Sequence, residues 1–308
     1  MRSRRIALAV AASACAVAAL LPSGTVLASA RPTTHARTHE ALGIRPTLHG
    51  AHAARVSYYR TNNIVYHQGP IITGPINVYY IWYGNWSTLN PNANSIITKF
   101  GQNVGGSPYF NINTSYYNGA NVHVTNSVTL KGSTTDNYSQ GTSLSDAAVQ
   151  TIVQSAISSG RLPLDTNGLY FVLTSSDVAE TSGFLTQYCG WHTYGTINGA
   201  NIKYSFVGDP SQNPAACEAQ TASSPNGDPA ADGMVSVMAH ELEEAVTDPN
   251  LNAWYDRTGA ENGDKCAWTF GTTSTASNGS AYNVTLGGSQ FLIQRNWSAS
   301  KQTCLMSG

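Results

Sequence analysis

One stretch constrains the fold of this 308-residue chain more than any other: Met238-Ala239-His240-Glu241-Leu242-Glu243-Glu244-Ala245-Val246-Thr247-Asp248-Pro249. At about 100° per residue, its spacing predicts a helix with two unlike faces. Met234, Met238, Leu242 and Ala245, with Val235 and Val246 beside them, make one side apolar. His240, Glu241, Glu244 and Asp248 fall in one arc on the other. Like charges three and four residues apart repel by about 0.2–0.5 kcal/mol per pair. Acids near a helix C-terminus also oppose the macrodipole. Such an arc calls for something positive against it, and a metal ion meets that need. The plainer alternative is a solvated acidic face with one incidental histidine.

His240-Glu241-Leu242-Glu243-Glu244 is one residue away from the His-Glu-x-x-His helix of zinc metallopeptidases. There the first and last residues ligate zinc from one helix face and the Glu is the general base. Transferred here, His240 and Glu244 are metal ligands and Glu241 is the catalytic base. A carboxylate in place of the second histidine makes the site harder and more anionic. Zinc is the expected cofactor, with other divalent metals able to serve. A third ligand has several candidates. Glu261, roughly twenty residues beyond the helix, is the first choice and Asp264 the second, although Asn262-Gly263 is also an ordinary turn dipeptide. Asp248 is a third option, or it simply ends the helix before Pro249. His192 is a fourth, though a hydrogen-bonded structural histidine is the simpler account of it.

The chain opens with export signals. Arg2, Arg4 and Arg5 precede an apolar, Ala-rich run from Ile6 to Leu21, and Ala28-Ser29-Ala30 is a small-x-small cleavage site. Residues 1–30 therefore read as a secretory signal peptide. Residues 31–63 lack periodicity and hold four of the eight histidines: His35, His39, His49 and His52. They read as a disordered leader or a pro-segment that captures metal or inhibits. Residues 64–308 remain as a single secreted domain. The net charge of −1 gives no general attraction to nucleic acid, and no second apolar run suggests a membrane anchor. Cys189, Cys217, Cys266 and Cys304 lie beyond the signal peptide, and an even count in an exported chain favours two disulfides. Sequence proximity favours Cys189–Cys217 and Cys266–Cys304 among the three possible pairings.

The body alternates strand-like and helix-like runs, which predicts a mixed α+β fold with a mixed sheet. Asn77–Tyr83, Leu169–Leu173 and Ile202–Val207 read as strands. Val122–Leu130 reads as a strand or hairpin. Ala93–Val104 and Ser145–Ser158 read as helices, the second capped by Ser145. Asp228 is a cap for the acidic helix with Pro229 at its first position, and Asp232 is the alternative cap. Beyond Pro249 a loop-rich region carries β-like runs near Tyr282–Leu286 and Gln290–Gln294. Neither G-x-S-x-G nor a P-loop is present.

Several blocks then carry a family resemblance. Tyr66-His67-Gln68-Gly69-Pro70 leads into Thr73-Gly74-Pro75-Ile76-Asn77-Val78-Tyr79 and Ile81-Trp82-Tyr83-Gly84-Asn85-Trp86. Val172-Leu173-Thr174-Ser175-Ser176-Asp177, Cys189-Gly190-Trp191-His192, Pro225-Asn226-Gly227-Asp228 and Asp232-Gly233-Met234-Val235 follow in order. Together, from Tyr66 to Cys304, these resemble the exordium, or phosphate-induced protein 1, family of secreted cell-wall proteins. Plant members carry an apolar segment where this chain has His240–Glu244, while Thr247-Asp248-Pro249 is similar to their Thr-Asn-Pro. The chain resembles the bacterial branch, whose members are similar to zincin-type peptidases at this helix. The expectation is a secreted zincin-like metallopeptidase acting on peptides or proteins. The alternative is a non-catalytic exordium-like extracellular protein, with cell-wall material as a partner and a structural metal or none.

Overall fold

A computed structural model describes Ile44–Pro46 and residues 62–308. The expected signal peptide and most of the expected leader lie outside the described residues. A six-stranded mixed sheet organises the rest. Its strands are β1 (Ile44–Pro46), β2 (Ile76–Tyr83), β3 (Val128–Asp136), β4 (Gly168–Thr174), β5 (Tyr188–Ile197) and β6 (Ala200–Gly208), in the spatial order β1-β5-β6-β4-β2-β3. β3, β2, β4 and β6 run parallel. β5 is antiparallel to β6, and β1 is antiparallel to β5.

The central strands are nearly continuous apolar runs because both sheet faces are covered. Along β2 the side chains alternate. Val78, Tyr80 and Trp82 enter one core, while Tyr79, Ile81 and Tyr83 enter the other. The second core is closed by helix α2 (Asp146–Ser158), through Val149, Ile152, Val153 and Ala156. Ser145 caps this helix, its hydroxyl accepting from Ala148 N. The first core is closed by α1 (Ala93–Asn103), through Ile97 and Phe100, and by α3 (Pro229–Thr247). Each fully buried Ile or Phe contributes about 1.5–3 kcal/mol of hydrophobic stabilisation.

α3 begins as its sequence implies. The Asp228 carboxylate accepts from Ala231 N, and Pro229 opens the first turn where its missing N–H is not needed. Asp232 is not the cap; its carboxylate accepts from Asn226 N and Asn226 Nδ2. The helix runs to Thr247 with both faces buried. A solvated acidic face is therefore excluded. Among the described residues no helix is long and apolar enough to cross a membrane.

Glu218 packs beside the start of α3, where a Cβ on Gly233 would lie 3.2 Å from its Cγ. It is 4 % exposed. Burial, then the charges of Asp209 and Asp228, raise its carboxyl to about 7. A carboxyl raised on folding binds more protons in the native state, so it lowers stability as pH rises from the ordinary carboxylate range to about 7. Glu218→Gln should therefore raise the unfolding midpoint at pH 8 and change it little at pH 4.5. Melts at both pH values check this, and equal shifts would contradict it.

Candidate metal centre

Three elements converge on one interior cluster. α3 supplies His240, Glu241 and Glu244, and Asp248 follows at its end. β5 supplies His192. The turn into the short helix α4 (Asn262–Lys265) supplies Glu261 and Asp264. His192, His240, Glu241, Glu244 and Asp248 are 0 % exposed and Glu261 is 2 % exposed. Only the Asp264 side chain retains some solvent contact.

Glu244 is the hub. Its Oε1 lies 3.0 Å from His240 Nε2, and its Oε2 lies 3.6 Å from His192 Nε2. Glu244 Oε1 also accepts from Asp264 N at 3.0 Å. His240 Nε2 is 3.7 Å from Asp264 Oδ1, and His192 Nε2 is 3.3 Å from Glu261 Oε2. Two sets of three residues can each bring ligand atoms within 4.8 Å of one another: His192, Glu241 and Glu244, and His240, Glu244 and Asp264. Glu244 belongs to both.

Close backbone approach makes the cluster possible. A Cβ on Gly263 would lie 2.9 Å from Glu244 Oε1 and from His240 Cγ. Only glycine lets α4 lie on that helix face. A Cβ on Gly190 would lie 2.6 Å from Val237 Cγ1 and 3.2 Å from Glu241 Oε1, so glycine also seats β5 against α3. Hydrogen bonds fix the α4 turn. Asn262 Nδ2 donates to Asn113 Oδ1 and Glu243 O, and Gln294 Nε2 donates to Gly263 O. Disulfides stand next to both flanks. Cys189–Cys217 precedes His192 on β5, and Cys266–Cys304 follows Asp264. These are the two pairings that sequence proximity favoured.

The electrostatics are those of an anionic site removed from water. Burial, then the charge of Asp248, pushes the Glu244 carboxyl well above the usual range. Burial and the Glu244 charge do the same to Glu261 and push Asp264 up to about 8. Burial, then His240, lowers His192 to about 3, which keeps its ring neutral. A neutral imidazole is the form that ligates a metal. Glu244 Oε2 and Glu261 Oε1 are buried without a hydrogen-bond partner. Two such oxygens are costly to bury unless a cation faces them. The donor set, nitrogen and carboxylate oxygen, suits zinc or a harder divalent ion.

The structure thus distributes the expected site residues unevenly. His240 and Glu244 face each other as the helix spacing implies. Their companion is Asp264, the second choice from sequence, while Glu261 faces His192. Glu241, the expected base, lies within ligand distance of His192 and Glu244. Asp248 Oδ1 accepts from Asn252 N and Ala253 N, so this oxygen organises the turn after α3. His192 sits in the cluster although a structural role was its simpler account. Gly190 and Gly263 carry no side-chain ligand, and no chemical pattern in the sequence marked them as part of the site.

Gly263→Ala should drive a methyl into His240 and Glu244. Overpacking of this kind costs about 1–3 kcal/mol, and misplacing groups around a metal costs about 10–100-fold in affinity. Isothermal titration with zinc measures the loss. Unchanged affinity would separate the α4 contact from the metal.

A mixed sheet backed by a long helix, with a buried His/Glu cluster between them, defines a candidate metal-binding protein. The family it represents follows from comparison. The chain belongs to the phosphate-induced protein 1, or exordium-like, family: the family described as "Phosphate-induced protein 1 conserved region" matches residues 64–307. Protein EXORDIUM-like 5 of Arabidopsis thaliana is 33% identical over 277 residues, covering 78% of this chain and 76% of that protein. Protein EXORDIUM-like 3 of the same plant is 33% identical, covering 76% of this chain and 80% of its own. Protein PHOSPHATE-INDUCED 1 of Nicotiana tabacum is 30% identical, covering 62% and 66%. No solved structure matches the chain.

Proposed function

We propose that this is an exported exordium-like protein that holds a divalent metal, zinc foremost, as part of its fold. The observation that carries this is Glu244, a buried carboxylate with one oxygen turned to each of two buried imidazoles. Closure of the site supports a structural role over a catalytic one. Structural zinc sites are closed, whereas catalytic sites keep an open position. Every candidate ligand here except Asp264 is at most 2 % exposed. Export rests on the arginine-led apolar run, the Ala28-Ser29-Ala30 site and the two disulfides. Outside the cell the protein would meet cell-wall material, with no nucleic acid among its partners. Membership of a bacterial branch belongs to the same proposal and rests on the His240–Glu244 segment.

A second reading, a zincin-like peptidase, is favoured by one observation: the His240-Glu241-x-x-Glu244 spacing on a helix. A bound zinc would supply an acidified water, and Glu241 would take its proton. Glu241→Gln separates the two. In the structural reading wild type cleaves no peptide in a broad screen, and the variant binds zinc less well because Glu241 stands at ligand distance. Hydrolysis by wild type that falls at least ~10²-fold in a variant retaining its metal would establish the peptidase instead.

A further inference from the structure

β5 is an unusual edge. Without β1 it would be the last strand of the sheet, ten residues long and paired only with β6. Exposed edges offer a row of free N–H and C=O groups, and proteins blunt them with charges, prolines or bulges. The β5 sequence, Tyr-Cys-Gly-Trp-His-Thr-Tyr-Gly-Thr-Ile, contains no charged residue and no proline. Its pairing to β6 from Gly190 to Ile197 shows no register shift. It is the kind of edge onto which another extended chain adds.

One chain segment already does so. β1 pairs antiparallel with the first part of β5, with Ile44 opposite Trp191, Arg45 opposite Gly190 and Pro46 opposite Tyr188. β1 also contacts α3 and α4, the elements that carry His240, Glu244 and Asp264. The pairing is short and weak for its length. Its register slips between Arg45 and Pro46, and proline has no N–H to donate. Among the described residues nothing pairs with the outer edge of β5 from His192 to Ile197. Tyr194 there is 42 % exposed.

We propose that the outer edge of β5 is a docking strand for extended peptides, and that Ile44–Pro46 is its built-in occupant. An external peptide adds in the same antiparallel sense by displacing this segment, extends along His192–Ile197, and comes to lie beside the His192 end of the cluster. Recognition is through main-chain hydrogen bonds, so the partner is an unfolded or extended polypeptide segment. The β5 side chains and the cluster beneath set the sequence preference. The inference does not rest on the metal, because the edge exists whether or not the cluster is filled.

The test uses the full chain. Ile44→Pro with Arg45→Pro removes two backbone donors and disfavours the β1 strand. The probe is a fluorescent synthetic peptide with the sequence of residues 40–50, followed by anisotropy. The doubly substituted protein should bind it at least ~10-fold more tightly than wild type, because the internal competitor is gone. Hydrogen exchange across Tyr188–Trp191, the part of β5 that β1 covers, should rise in the variant, and exchange there and along His192–Gly195 should fall when the peptide is added. Both effects should persist with a chelator present, which distinguishes failure of this proposal from failure of the metal site. Exchange across β5 equal to wild type, or peptide binding that does not change, would overturn the proposal. If the variant does not fold, wild type with excess peptide decides. Saturable binding that is lost when the peptide carries Pro at the positions of Ile44 and Arg45 supports the docking strand, and absence of binding or binding indifferent to those prolines refutes it.

Discussion

Replacing His240 with alanine should remove most of the stabilisation that zinc gives the wild-type protein. A ligand that binds only the folded state at a thousandfold excess over its dissociation constant stabilises by about 4 kcal/mol. In a domain of this size each kcal/mol moves the unfolding midpoint by about 2–4 °C, so zinc should raise the wild-type midpoint by about 8–16 °C. His240 stands 3.0 Å from Glu244 Oε1 and 3.7 Å from Asp264 Oδ1. Without its ring, Asp264 loses its imidazole and Glu244 keeps only His192, and zinc should shift the variant by no more than a few degrees. Thermal melts with and without zinc check this. Equal zinc-induced shifts in both proteins would mean that His240 does not hold the metal.

The second large effect concerns the bridge behind α4. Converting Cys266 and Cys304 together to serine opens a loop with a sequence separation of 38. In the chain-entropy model this costs about 4 kcal/mol. Cys266 directly follows the helix whose turn carries Glu261, Gly263 and Asp264. The loss should therefore appear twice, as a lower unfolding midpoint and as weaker zinc binding. Cys189–Cys217 has the same relation to His192 through β5, but β5 is also held by its ladder to β6. The α4 turn has no such ladder, so the C-terminal bridge should matter more to the metal. Unfolding in guanidinium and a zinc titration of the double variant check both parts. A lower midpoint with unchanged zinc affinity would confine the bridge to the fold.

Much of the frame was legible before any coordinates. Asp228 with Pro229 marks the start of α3, and Ser145 marks the start of α2, because caps act through adjacent residues. The β2 and β4 runs are legible because burial on both faces leaves no polar alternation to confuse them. β5 was missed. Its side chains mix aromatic, glycine and polar residues, and the clearest signal lies just beyond it. Asn198-Gly199 joins Ile197 to Ala200 as a two-residue hairpin, with positive φ at both positions. That dipeptide is a strong hairpin signal, and it would have placed His192 on a strand running back toward the acidic helix.

The site was legible only along the helix. Spacing puts His240 and Glu244 on one face, but it cannot say that the face is buried. That depends on β5 and α4 arriving from more than forty residues upstream and about twenty downstream. Nor can it rank Glu261 against Asp264. In the α4 turn Asp264 N donates to Glu244 and the Glu261 side chain lies toward His192, placements that no spacing along the helix encodes. Glu243 shows the same limit. Its place outside the arc of His240, Glu241, Glu244 and Asp248 says nothing of its surroundings, yet it is fully buried and accepts from Tyr109 OH.

The central claim is that the buried His/Glu cluster holds a metal ion, and metal analysis of the purified, extensively dialysed protein tests it most directly. Elemental mass spectrometry of wild type should find a divalent metal, zinc foremost, at no less than about one equivalent per chain, with His240→Ala prepared in parallel retaining little or none. Wild-type protein that folds normally, carries no metal as isolated and takes up none from excess zinc would contradict it.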